Sequence, residues 1–182
     1  MTSATANDAR DRACDALLAL AVERPWSQIS LRDIADHAGT PLAELYATCR
    51  GKAALLAYLA ERHDLAALAA TQTASEDVHD RLFDATMARV EIMEPDRVAL
   101  TAMARELPRL ALVPHFPRTA RAILEAAGVE ATLPRIAAMA AVWLRVAHVW
   151  RDDEGALNRT MAEIDRRLKQ MRSRLTRIGA GF

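Results

Sequence analysis

The sequence predicts an all-helical protein, and three observations carry that prediction. Of 182 residues, 39 are alanine, the strongest helix former, whereas only 6 are glycine and 7 proline. Aromatic residues make up 4% of the chain, and the β-branched and aromatic residues that favour strands are scarce. Apolar residues, 52% of the total, recur at three- and four-residue spacings between clear breaks. A chain of this size and apolar content can bury a core without disulfides.

The periodicity and its punctuation divide the chain into about nine helices. The first is expected over 8–23, capped at Asn7 and closed by Pro25, with Ala13, Leu17, Leu20 and Ala21 as its apolar stripe. Trp26 and Ile29 mark a short connection. Ser30 then caps a second helix, and Asp33 at the third helical position completes a capping box. Ile34, Ala35 and Ala38 face inward, and Gly39 suits the left-handed turn that ends a helix. Thr40 is positioned to cap a short third helix, with Pro41 in its first turn and Leu42 and Leu45 as apolar anchors up to Cys49. After Gly51 a long helix is expected over 52–73, with Leu55, Leu56, Leu59, Leu65 and Leu68 apolar.

Periodicity restarts at Ser75, with Val78, Leu82, Phe83, Met87, Val90 and Met93 on one face up to Pro95. The next segment, 96–107, carries Val98, Leu100, Met103 and Leu107, and Pro108 closes it. The stretch 108–117 is the least regular part of the chain. Helix 118–127 ends at Gly128. Segment 133–151 is apolar nearly all round, interrupted chiefly by Arg135, Arg145 and His148, as in a helix buried centrally or at a subunit interface. A last helix is expected over 156–178.

Charge is unevenly placed. Lys and Arg total 24 and Asp and Glu total 24, yet residues 1–74 carry net −2, residues 75–154 net −3 and residues 155–182 net +5. The neutral total conceals a basic tail. Cys14 and Cys49 have no metal-ligand spacing and read as free thiols in a reducing cytoplasm. No secretion signal is present, and no run of ~18 apolar residues could span a bilayer. A cytoplasmic protein is expected.

Residues 30–46, Ser-Leu-Arg-Asp-Ile-Ala-Asp-His-Ala-Gly-Thr-Pro-Leu-Ala-Glu-Leu-Tyr, are the most informative in the chain. Ala35, Gly39 and Leu45 stand where two helices crossing at a tight turn need a small residue, a glycine and an apolar anchor. With the preceding helix and the following Gly51-Lys52-Ala53-Ala54-Leu55-Leu56, this pattern resembles the N-terminal DNA-binding domain of the tetracycline-repressor (TetR) family. The resemblance covers roughly 8–72. It implies a helix-turn-helix domain over 1–50, a connecting long helix over 51–74 and a helical ligand-binding and dimerisation domain over 75–182. Duplex DNA is the implied partner, with Arg32, Thr40, Leu42, Glu44, Tyr46, Arg50 and Lys52 as candidate contacts. The segment 41–49 departs from the family in holding no Lys or Arg, one acid, Glu44, and Ala47-Thr48-Cys49 after the tyrosine.

A second, looser resemblance covers 80–95 and 150–168, which look like the C-terminal region of lipid-binding accessory proteins of ubiquinone biosynthesis. It implies a lipid ligand and membrane contact through the last helix. There Leu157, Met161, Ile164, Leu168, Met171, Leu175 and Ile178 form a stripe flanked by seven cations. Such a helix either lies on an anionic membrane or serves as a packing seam. A homodimer through 133–151 and 156–171 follows from the TetR resemblance. Candidate residues for a small apolar ligand or lipid are Phe83, Met87, Met103, Leu107, Phe116, Trp143, His148 and Trp150, the bland alternative being plain core. Arg145 and His148 either meet an acidic or quinone-like ligand or pair with a carboxylate across the dimer. No metal-ligand spacing, phosphate loop or nucleophile elbow is present, so the expectation is a non-enzyme with no catalytic residue, cofactor or metal.

Overall fold

The computed structural model describes residues 3–71, 75–107, 115–153 and 156–182, and these hold nine α-helices, two short 3-10 turns and no strand. They fall into two units, one within Met1–Arg62 and Pro95–Leu112, the other within His63–Glu94 and Val113–Phe182. Residues 95–112 thus group with the N-terminal residues, and the first cut falls between Arg62 and His63.

In the first unit, α1 runs Ser3–Glu23, five residues longer at its start than the expected 8–23, with Asn7 inside it. Ala4 and Ala6 favour that extension. Ala13, Leu17, Leu20 and Ala21 are all buried. Pro25 ends the helix and is followed by the 3-10 turn Trp26–Gln28. The capping box of α2, Leu31–His37, is formed: Asp33 N donates to Ser30 Oγ at 3.1 Å, and Ser30 N donates to Asp33 Oδ2 at 2.7 Å. These bonds, with burial opposing and Arg24 assisting, hold the Asp33 carboxyl below its ordinary pKa. Gly39 closes the turn at φ +60, where a side chain would be strained.

Helix α3 spans Leu42–Thr48, but Thr40 does not cap it; Pro41 holds the N-cap position and no side chain caps the turn. Thr40 is instead buried, donating to Ala38 O and accepting from Arg12 Nη2, both at 3.4 Å. Helix α4, Lys52–Ala70, stops before Thr73, which lies outside the described residues. Its Leu55 and Leu59 are buried, whereas Leu65 and Leu68 are exposed. Helix α6, Arg97–Glu106, lies against α1 through Ala99 and Met103. Glu106 Oε2 accepts from Ser27 N and Oγ at 3.2 and 3.1 Å, which ties α6 to the 3-10 turn. Cys14 and Cys49 are buried free thiols; burial pushes Cys14 up to about 12 and removes its reactivity at neutral pH.

The second unit contains α5 (Val78–Met93), α7 (Phe116–Ala126), α8 (Leu133–Arg151) and α9 (Asn158–Arg177). The end of the proline-marked stretch enters α7, and residues 108–114 lie outside the described ones. Helix α8 packs between α7 and α9, burying Ile136, Met139, Val142, Trp143, Val146 and Trp150. Its other side presents Leu133 at 82% and Leu144 at 52% exposure. Helix α9 buries Ile164, Leu168, Met171 and Leu175. The ends of its expected stripe fall outside the helix: Leu157 precedes it at φ 52 and Ile178 follows it, exposed. Asp153 closes the start of α9, accepting from Thr160 N at 2.8 Å and Thr160 Oγ1 at 2.7 Å. No described helix is long and apolar enough to cross a membrane.

Candidate nucleic-acid interface

Helices α2 and α3 carry both buried and exposed residues. Ile34, Ala35 and Leu45 are fully buried in one cluster with Leu17, Ile29 and Leu55. Arg32 of α2, Tyr46 of α3 and Arg50, two residues past α3, are exposed to solvent, with Tyr46 at 56% exposure. Glu44 is half-buried in the first turn of α3, where a carboxylate complements the helix dipole.

The other expected contacts are placed differently. Thr40 is buried with both its hydrogen-bonding capacities used internally, and Leu42 packs against the core. The ammonium of Lys52 donates to Trp26 O at 2.6 Å and sits 4.2 Å from the Trp26 ring centroid. Burial lowers its pKa, opposed by Glu106 and Asp33. Lys52 therefore braces the start of α4. Arg32, Tyr46 and Arg50 remain as the freely exposed part of the set.

The expected ligand residues do not gather in one place. Met103 and Leu107 belong to the core of the first unit, because α6 packs on α1. In the second unit Phe83, Met87 and Phe116 are half-buried, while Trp143 and Trp150 are buried. Trp150 Nε1 donates to Glu94 Oε2 at 2.8 Å, and the guanidinium of Arg89 lies 5.4 Å from the Trp143 ring centroid. His148 is exposed and sits beside Arg151, with Nδ1 3.4 Å from Arg151 Nη2.

Two charged clusters were missed by the sequence reading. Arg89 Nε donates to Asp64 Oδ1 at 2.6 Å, and Thr119 Oγ1 donates to Asp64 Oδ2 at 3.1 Å, with all three residues buried. Burial lowers the Arg89 pKa and Asp64 opposes the shift. The signal was the position of Arg89, which lies on the α5 stripe with Leu82, Ala85, Thr86 and Val90.

The second cluster surrounds the buried Glu163. Arg145 Nε donates to Oε1 at 3.1 Å, Arg167 Nε to the same oxygen at 2.8 Å, and Arg166 to Oε2. Arg145 thus pairs within its own chain, which corrects the expectation of a partner across a dimer. Burial alone would raise the Glu163 carboxyl, but the bonds from Arg166, Arg167 and Arg145 hold it at about 2, below the ordinary 4.5. A depressed carboxylate contributes stability that is complete above 4.5 and lost as pH falls toward about 2. Glu163→Gln is accordingly expected to lower the neutral-pH melting temperature and to flatten its fall over that acid window. Thermal unfolding monitored by circular dichroism along a pH series checks this.

The apolar side of α9 is also committed within the unit. With Ile164, Leu168, Met171 and Leu175 buried, the helix offers solvent a cationic surface and no continuous apolar stripe to insert into a bilayer.

This architecture, with a helix-turn-helix of α1 to α3 in the first unit and a bundle of longer helices in the second, defines a TetR-like all-helical fold. Solved structures share it along nearly the whole chain. A TetR transcriptional regulator from Rhodococcus sp. RHA1 is similar with a TM-score of 0.69 at 18% identity, covering 91% of this chain and 96% of its own. A TetR transcriptional regulator from Nitrosomonas europaea ATCC 19718 also reaches 0.69, at 23% identity, covering 89% and 97%. The dihydroxyacetone kinase operon activator DhaS reaches 0.57 at 11% identity, covering 92% and 96%. At these identities the likeness establishes the TetR-like fold alone, and it does not show the C-terminal resemblance to ubiquinone-biosynthesis accessory proteins. No protein-family model and no curated protein matches the chain.

Proposed function

We propose that the protein is a dimeric TetR-like transcriptional regulator, binding operator DNA through α2 and α3 under the control of a small apolar ligand held in the second unit. The observation that carries this reading is the contrast within the helix-turn-helix between buried anchors, Ile34, Ala35 and Leu45, and exposed Arg32, Tyr46 and Arg50. Such a pair can hold a reading helix rigidly while presenting guanidinium and phenol groups to phosphates and base edges. Glu44 can accept from a cytosine amino group in the same groove. Phe83, Met87 and Phe116, half-buried in the second unit, are the ligand-facing candidates that remain. His148, at the surface, belongs to the dimer face and not to the ligand set.

Dimerisation is proposed through the exposed side of α8, where Leu133, Ala137, Ala141 and Leu144 succeed one another at helical spacing. Small residues between two leucines allow close approach of a second copy of the helix. Leu144→Glu is expected to shift the protein from dimer to monomer in light scattering while leaving its helical circular dichroism unchanged. A monomeric parent protein would contradict the assignment.

The functional reading is tested by selecting random-sequence duplexes on the immobilised full-length protein. The expected product is an inverted repeat with half-sites about one helical turn apart, centre to centre, as a two-fold dimer requires. Absence of any enrichment would overturn it.

A further inference from the structure

We propose that a surface cleft of about 610 Å³ between the start of α5 and the C-terminal half of α9 binds a small phosphate-bearing molecule. Lys169, Arg172, Ser173, Thr176 and Arg177 line it from α9, at positions that fall on one helical face. His79 and Asp77 line it from α5.

The charge of the lining is unbalanced. Lys169 Nζ donates to Asp165 Oδ2 at 2.8 Å, and His79 Nε2 lies 3.0 Å from Asp165 Oδ1. One carboxylate thus occupies both Lys169 and the imidazole. Asp77 is engaged as the cap of α5, accepting from His79 N at 2.8 Å. Among the described residues Arg172 makes no ion pair, and Arg177 has a neutral partner, donating from Nη2 to Ser173 Oγ at 3.2 Å. Two guanidinium groups with no carboxylate partner among the described residues therefore line one concave space with the Ser173 hydroxyl, while the Thr176 hydroxyl there donates to Arg172 O at 2.9 Å. Arginine forks with the Ser173 hydroxyl match the several acceptor oxygens of a phosphate, and charge-assisted bonds of this kind are the strong ones.

The shape and the surroundings select the occupant. A bilayer surface would have to meet α9 without an apolar stripe, because Ile164, Leu168, Met171 and Leu175 are buried. A recess of this volume suits a phosphate ester of metabolite size, which enters it; a rod of duplex DNA rides over it.

The test is titration calorimetry of the full-length protein with pyrophosphate at low salt. Saturable binding is expected, and Arg172→Ala with Arg177→Ala should weaken it by about tenfold or more. Arg174→Ala removes the same charge from α9 outside the cleft and should change the affinity by less than about twofold, since it loses only screened long-range attraction. All three positions are exposed, and unchanged circular dichroism verifies that the variants fold. Absence of pyrophosphate binding, or equal weakening by Arg174→Ala, would overturn the site. So would binding confined to phosphatidic acid vesicles or to duplex DNA and unaffected by competing pyrophosphate. Because operator selection depends on α2 and α3, failure of this site and failure of the regulator reading give different results.

Discussion

Asp64→Ala is expected to destabilise the protein by about 3–5 kcal/mol, the cost of removing one member of a buried ion pair. The side chains of Arg89 and Asp64 are only 5% and 12% exposed, so water cannot replace the lost partner. Thr119 would lose its acceptor in the same substitution. Removing both charges together has a different consequence. Arg89→Met with Asp64→Leu replaces the pair by apolar groups of similar volume, and the double variant should recover most of the loss, because a buried ion pair adds little net stability over good packing. Urea unfolding of the parent, single and double variants checks both statements. A loss below about 1 kcal/mol in Asp64→Ala would show that the pair is solvated, as surface ion pairs are.

The second large effect concerns the reading helix. Leu45 is fully buried in the cluster that joins α1, α2 and α4, and truncating such a leucine leaves a cavity. Leu45→Ala should cost about 2–5 kcal/mol. It should also abolish binding of duplex DNA, since α3 is only seven residues long and has no side-chain cap to hold it without that anchor. Glu44→Ala provides the contrast. It removes a half-buried acid from the same helix without opening a cavity, and it should strengthen non-specific duplex binding by lowering repulsion from phosphates. Denaturation curves combined with anisotropy on labelled duplex distinguish the two. Intact DNA binding by Leu45→Ala would show that α3 is held by something other than its core contact.

The local signals in the sequence were strong where one residue type has one physical role. Ser30 and Asp33 marked a capping box, Gly39 marked a left-handed turn, and Pro25 marked a helix end, and each occurs at the expected position. The all-helical class followed from composition and periodicity for the same reason. Thr40 was misread as a cap because a threonine before a helix start has two options. Here it turns inward to Ala38 and Arg12. Met103 and Leu107 were assigned to a ligand unit because periodicity shows that a residue is buried but not which neighbours bury it. Only the packing of α6 on α1 places them in the other core.

Long-range charge pairing was the least legible layer. Asp64 and Arg89 are 25 residues apart, and Arg145 and Glu163 are 18 apart. Nothing local in either sequence neighbourhood names the partner. Arg89 did interrupt an apolar stripe, which signals a buried charge, and Glu163 and Asp165 were the two acids among the cations of the last helix. The displaced positive charge of residues 155–182 now divides into two parts. Arg166 and Arg167 neutralise Glu163, and Arg172 and Arg177 face the cleft beside α5.

The central claim, that α2 and α3 form a working DNA-reading surface, is tested most directly by the salt dependence of duplex binding. Fluorescence anisotropy with a labelled random duplex at about 50 mM salt should show binding that weakens steeply as salt rises, since phosphate neutralisation drives it. Arg32→Ala with Arg50→Ala should weaken binding further and reduce the logarithmic salt slope by about two, one for each phosphate contact removed. No binding to any duplex at that salt, or a slope unchanged in the double variant, would contradict the account.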